Sequence, residues 1–110
     1  MAKKEEIVKS EIPSLPPIDK LIHEPARLDI LATLFVIKES DFIFLKNQTG
    51  MTWGNLSSHL SKLEDAGYVK VMKEISNKKT KTRISLTDEG RRAFREYRQK
   101  IDEFLKKFQE

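Results

Sequence analysis

The sequence predicts a mainly α-helical domain with one small β-hairpin, in the order helix, helix, helix, hairpin, long helix. Three observations predict it. Leucines recur at helical spacing between Leu28 and Leu63, interrupted by cap residues and by Gly50, and the pattern ends at Gly67. From Tyr68 to Leu86 the apolar period drops to two, the signature of strands. From Phe94 to Phe108 it returns to alternating steps of three and four.

Residues 1–17 read as an N-terminal arm, because Pro13, Pro16 and Pro17 favour extended backbone. Residues 18–110 read as one domain. Its first helix starts near Glu24 and Pro25, where proline suits the first helical turn. Leu28, Leu31, Leu34 and Phe35 form its expected buried stripe, and a short preceding turn holds Leu21 and Ile22. Ser40-Asp41 caps a second helix that stops at Gly50. Thr52 caps a third, about residues 52–66, whose Leu56, Leu60 and Leu63 face inward. Tyr68–Met72 and Thr82–Leu86 read as strands, with Asn77–Thr80 a polar turn. Thr87-Asp88-Glu89 opens the last helix, about residues 88–109, with acids well placed in the first turn.

The chain has 110 residues, enough for one modest core. With no cysteine, disulfides, thiolate metal sites and cysteine nucleophiles are excluded. The start, Met1-Ala2-Lys3-Lys4-Glu5-Glu6, has no apolar stretch behind it and does not read as a secretory signal. No apolar run approaches the roughly 20 residues of a membrane span. A cytoplasmic protein without membrane contact is the simplest expectation. Net charge is +4, and residues 41–110 carry the excess, 15 basic against 10 acidic groups. A local basic excess favours polyanionic partners, although a solvated lysine-rich surface has the same composition.

Two helices joined by a tight glycine-containing turn and followed by a hairpin make the winged helix-turn-helix arrangement. Successive residues turn by about 100° on a helix. With the leucines inward, Gly54, Ser58, Ser61 and Asp65 point outward, and Asn55, Ser57 and Lys62 lie on the flanks. Trp53 falls nearer the inward side and is expected to pack. Asn55, Ser57, Ser58, Ser61 and Lys62 are therefore base-reading candidates, since Asn pairs with adenine and Ser bonds base edges or phosphates. Thr52, His59, Lys78, Lys79, Lys81 and Arg83 are candidates for backbone contact. The hairpin, about residues 76–83, would act as a basic wing on phosphates or in the minor groove. Lysines also guard sheet edges against aggregation, and an outward polar face also suits plain solvent.

His23 and His59 have no ligand cluster around them, and His59 lies beside the leucine stripe, partly buried or on a phosphate. No metal, cofactor, catalytic group or phosphate loop is expected, so an enzyme is not. Phe94, Tyr97, Ile101, Phe104 and Phe108 form a seam about two heptads long that would join two copies, although the same seam would also serve a helix folded back on its own core. Two such heptads alone are marginal, so residues around 7–22 are expected to join that interface.

The segments Asp19 to Leu28, Gly50 to Val69 and Arg83 to Arg91 resemble the compact winged-helix regulators related to MarR and ArsR. The most specific stretch is Gly54-Asn55-Leu56-Ser57-Ser58-His59-Leu60. The resemblance covers roughly residues 18–105. It implies a homodimeric regulator that binds double-stranded DNA, an inverted repeat by symmetry, with the reader role on Asn55, Ser57, Ser58, His59, Ser61 and Lys62. It leaves open repression or activation and any small-molecule effector. Metal sensing through cysteines, as in ArsR-type proteins, has no residues here to carry it. A second reading is a winged-helix protein-interaction module in a transcription or chromatin assembly.

Overall fold

The computed structural model describes residues 11–109, so the first ten residues of the expected arm and Glu110 lie outside it. Helix α1 is Pro25–Ile37, followed by strand β1, Glu39–Asp41. Helix α2 is Phe42–Thr49 and helix α3 is Trp53–Asp65. Strands β2, Val69–Ser76, and β3, Lys79–Leu86, form the hairpin. Helix α4, Asp88–Leu105, ends in a 3-10 turn, Lys106–Phe108. No helix among the described residues is long and apolar enough to cross a membrane.

Each helix starts where a side chain satisfies backbone N–H groups that the helix cannot. The Glu24 carboxylate accepts from the N–H of Ala26 and Arg27, at 2.9 and 3.0 Å. Asp41 accepts from Phe44, Thr52 from Asn55 and Thr87 from Gly90. Gly50 ends α2 in the left-handed conformation, φ 70°.

The core joins Ile22, Ile30, Leu31 and Leu34 to Leu45 of α2, Leu56, Leu60 and Leu63 of α3, Val69, Ile84 and Tyr97. The expected α1 stripe holds at Leu31 and Leu34, both fully buried, and widens beyond them. Ile30 is fully buried, whereas Leu28 and Phe35 are half-buried. Helix α1 touches α2, α3, α4 and β3, so it buries more of its circumference than a single stripe.

Strand β1 was not foreseen. Its three residues pair antiparallel with β3, Glu39 opposite Ser85 and Asp41 opposite Arg83, giving sheet order β1-β3-β2. Three residues are too few to show a period of two. The turn of the hairpin is also tighter than expected. Only Asn77 and Lys78 form it, both at positive φ (50° and 65°), as a two-residue type I′ turn requires. Lys79 and Thr80 belong to β3, and the paired register runs from Val69↔Leu86 to Ser76↔Lys79. The strands therefore run the full length of the wing.

Helix α4 docks through Gly90, which is buried, and a Cβ there would overlap the carbonyl oxygen of Tyr68. Lys100 Nζ donates to the Pro17 carbonyl at 3.0 Å, holding the end of the arm against α4.

Candidate nucleic-acid interface

Helix α3 buries Leu56, Leu60 and Leu63 and exposes the face opposite. Gly54, Asn55, Ser57, Ser58, Ser61 and Lys62 are all exposed. The five base-reading candidates thus share one solvent-facing surface. A Cβ on Gly54 would meet nothing within 4 Å, so its own chain does not require glycine there. Thr52 is exposed, and its hydroxyl oxygen accepts from Asn55 N–H at 3.1 Å, which leaves its O–H able to donate outward. Ser57 and Ser61 line a groove with Lys73 and Thr82, and so face the wing.

Lys78, Lys79 and Lys81 are exposed along the tip, and none is in an ion pair among the described residues. Arg83 is different. Its Nη2 donates to Glu39 Oε1 at 2.5 Å, and its Nε lies 4.0 Å from Glu74 Oε1. The hydrogen bond to Glu39 also pushes its pKa up. Arg83 is thus committed across the sheet, on the side of β3 away from the tip. Its partner Glu39 lies on the unforeseen strand β1, which is why the sequence alone placed Arg83 with the tip lysines.

His59 is turned toward α1 rather than displayed beside Ser58. Its Nδ1 lies 3.2 Å from Arg27 Nη1 and 3.6 Å from Glu24 Oε2. Burial pushes the Glu24 carboxyl up, but the two N–H groups it caps, with Arg27 and His59 nearby, hold it below the usual value. This cluster ties α3 to the start of α1.

Two expectations require correction. Trp53 does not pack inward, because it is 58% exposed. At the first position of α3 the helix overhangs the core, and the Phe42 ring stacks parallel to the indole at 5.1 Å. Tyr97 is not available to a second copy. It is 7% exposed, and its hydroxyl lies 2.8 Å from His23 Nδ1. Of the other seam residues, Phe94 packs against Phe35 with the rings tilted and their centroids 5.0 Å apart, Ile101 and Phe104 are half-buried and Phe108 is exposed. Leu105, which the spacing did not single out, is 59% exposed. Among the described residues no group of three His, Asp or Glu side chains is placed to hold a metal.

Comparison with known proteins agrees with this geometry. A family model described as a winged helix DNA-binding domain matches residues 26–105. An uncharacterised protein of Methanocaldococcus jannaschii is 38% identical over 78 residues, 71% of this chain and 85% of its own length. A transcriptional regulator homologue from Pyrococcus horikoshii superposes with a TM-score of 0.76 at 26% identity, over 96% of both chains. The fold is also that of overoxidised AbfR bound to DNA, with a TM-score of 0.63 at 19% identity over 76% of this chain and 66% of AbfR. The protein belongs to the family of winged helix DNA-binding domains and is similar to transcriptional regulators of that fold.

Proposed function

We propose that the protein is a homodimeric transcriptional regulator that reads a specific double-stranded DNA sequence in the cytoplasm. Helix α3 enters the major groove with Asn55, Ser58 and Lys62 toward base edges, and with Ser57 and Ser61 on the side of the groove that faces the wing. Lys78, Lys79 and Lys81 rest on the backbone or in the adjacent minor groove. Residues 18–110 form the binding unit and residues 1–17 its arm.

The observation that carries this reading is the outward face of α3. It is short-chained, polar and exposed, with an unfilled glycine at its start. Beside it runs a row of lysines with no ion pair among the described residues. Short side chains allow a helix to sit deep in a groove, and free lysines replace counterions on phosphate. AbfR, of the same fold, is seen bound to DNA. For dimerisation, the support is apolar surface left uncovered near the end of α4. Leu105, Phe108 and, on the arm, Ile12 and Leu15 are each at least 46% exposed.

The test is selection of duplexes from a random pool by the full chain. An inverted repeat with half-sites about one helical turn apart supports the reading. A pool that stays random contradicts it. A protein-interaction module has one observation in its favour, the groove of Ala32, Val36, Ile37 and Phe44 between α1 and α2, where Val36 is 79% exposed. A random pool would favour that reading instead.

A further inference from the structure

We propose that Trp53 is itself a DNA-contacting residue, an exposed indole braced by Phe42 that covers the apolar deoxyribose edge of the duplex where α3 meets the wing. The inference rests on the proposed reading that α3 and the wing face DNA.

Trp53 is the only tryptophan in the chain, and more than half of it is exposed. An exposed indole is costly in water, because it is the largest apolar side chain. It is also braced on its neighbours. The Phe42 ring lies parallel to it, 6° between planes, and Lys46 Nζ sits 5.4 Å from its centroid. A preorganised plate loses little freedom on contact. Its outer side opens on a cavity of about 360 Å³, closed on the far side by Thr80, Lys81 and Thr82 of the wing.

Position and charge select the occupant. Trp53 is the first residue of α3, and the N-terminal residues of a reader helix are those that approach the groove. The next residue, Gly54, has open space around it. Lys46 and Lys81 flank the indole, and the one acid lining the cavity, Asp41, accepts from the Phe44 N–H as the cap of α2, so the apolar centre has two cations beside one engaged carboxylate. The groove wall of a duplex has the complementary pattern, with sugar carbons between phosphates. The indole Nε1–H adds a donor that one of those phosphates can accept.

Because Trp53 is the sole tryptophan, its fluorescence reports this one site in the unaltered protein. The probe is a duplex recovered from a random pool by the full chain, with binding followed in parallel by anisotropy of a labelled copy. At saturation, acrylamide quenching of Trp53 should fall, and Trp53→Ala should weaken binding about tenfold. Trp53→Phe, which can keep the stack on Phe42, should weaken it less. Quenching unchanged while anisotropy saturates overturns the inference and leaves the reading of α3 standing. An anisotropy that never rises overturns both. An emission that shifts with protein concentration before DNA is added shows that a second copy covers the indole, and also overturns it.

Discussion

His23 Nδ1 and the Tyr97 hydroxyl lie 2.8 Å apart, joining the turn before α1 to the middle of α4 across 74 positions of sequence. The bond commits Tyr97 to its own chain and moves the free apolar surface of α4 toward its C-terminal end. Replacing Leu105 and Phe108 together by Glu should therefore convert a dimer into monomer at micromolar concentration. Tyr97→Phe should leave the dimer intact while lowering the thermal midpoint, at a cost of about 1 kcal/mol. Light scattering and thermal melting of the two variants check this. A wild-type protein that is already monomeric contradicts the dimer.

The two tyrosines resist ionisation. Burial, then the hydrogen bond its hydroxyl donates to Asp19, pushes Tyr68 up to about 12, and burial raises Tyr97 as well. A folded-state pKa above the ordinary value of 10.0 favours the neutral form in the fold. The stabilisation is complete below pH 10 and is lost as the pH rises toward 12. Phenolate absorbance of the folded protein should thus appear later on the pH axis than that of the urea-unfolded chain. Coincident curves would show that Tyr68 is not held as described.

Gly54 and Gly90 should respond oppositely to the same substitution. Gly90→Ala sets a Cβ against the Tyr68 carbonyl and should cost about 3 kcal/mol or more. Gly54→Ala meets nothing and should be neutral or stabilising by up to about 1 kcal/mol. If α3 lies close to DNA, that same Gly54→Ala variant should bind DNA more weakly while melting higher. Urea melts and duplex titrations of both variants separate stability from contact.

The wing should bind charge rather than sequence. Replacing Lys78 and Lys79 by Ala should weaken selected and scrambled duplexes alike. It should also flatten the log–log salt dependence by about one unit for each phosphate no longer neutralised. Arg83→Ala should change that slope little, because Arg83 is already paired with Glu39. An unchanged slope in the lysine variant would place the tip off the DNA.

Which parts of the molecule are legible in sequence follows from where the determinants lie. Helices α2, α3 and α4 are readable because each carries local signals, a cap at Asp41, Thr52 or Thr87, with a glycine stop at Gly50 for α2 and a repeating apolar face for α3 and α4. The outward face of α3 follows from its three leucines alone. Strand β1 is not readable, because its register depends on β3 more than 40 residues away. The pairing of Arg83 with Glu39 and the approach of His59 to Arg27 and Glu24 are long-range for the same reason. Trp53 is misplaced by a helical wheel, which assigns a direction but not what stands there. Trp53 stands one turn before Leu56, the first residue of α3 that reaches the core.

The most direct test of the central claim is a pair of titrations of Asn55→Ala and Ser58→Ala, one against the selected duplex and one against scrambled DNA of equal length. Removing a base-reading side chain costs about 1–3 kcal/mol of discrimination. Specific affinity should therefore fall roughly tenfold or more, with non-specific binding nearly unchanged. Equal weakening on both duplexes would reduce α3 to a backbone contact. No weakening on either would contradict the assignment of sequence reading to this face.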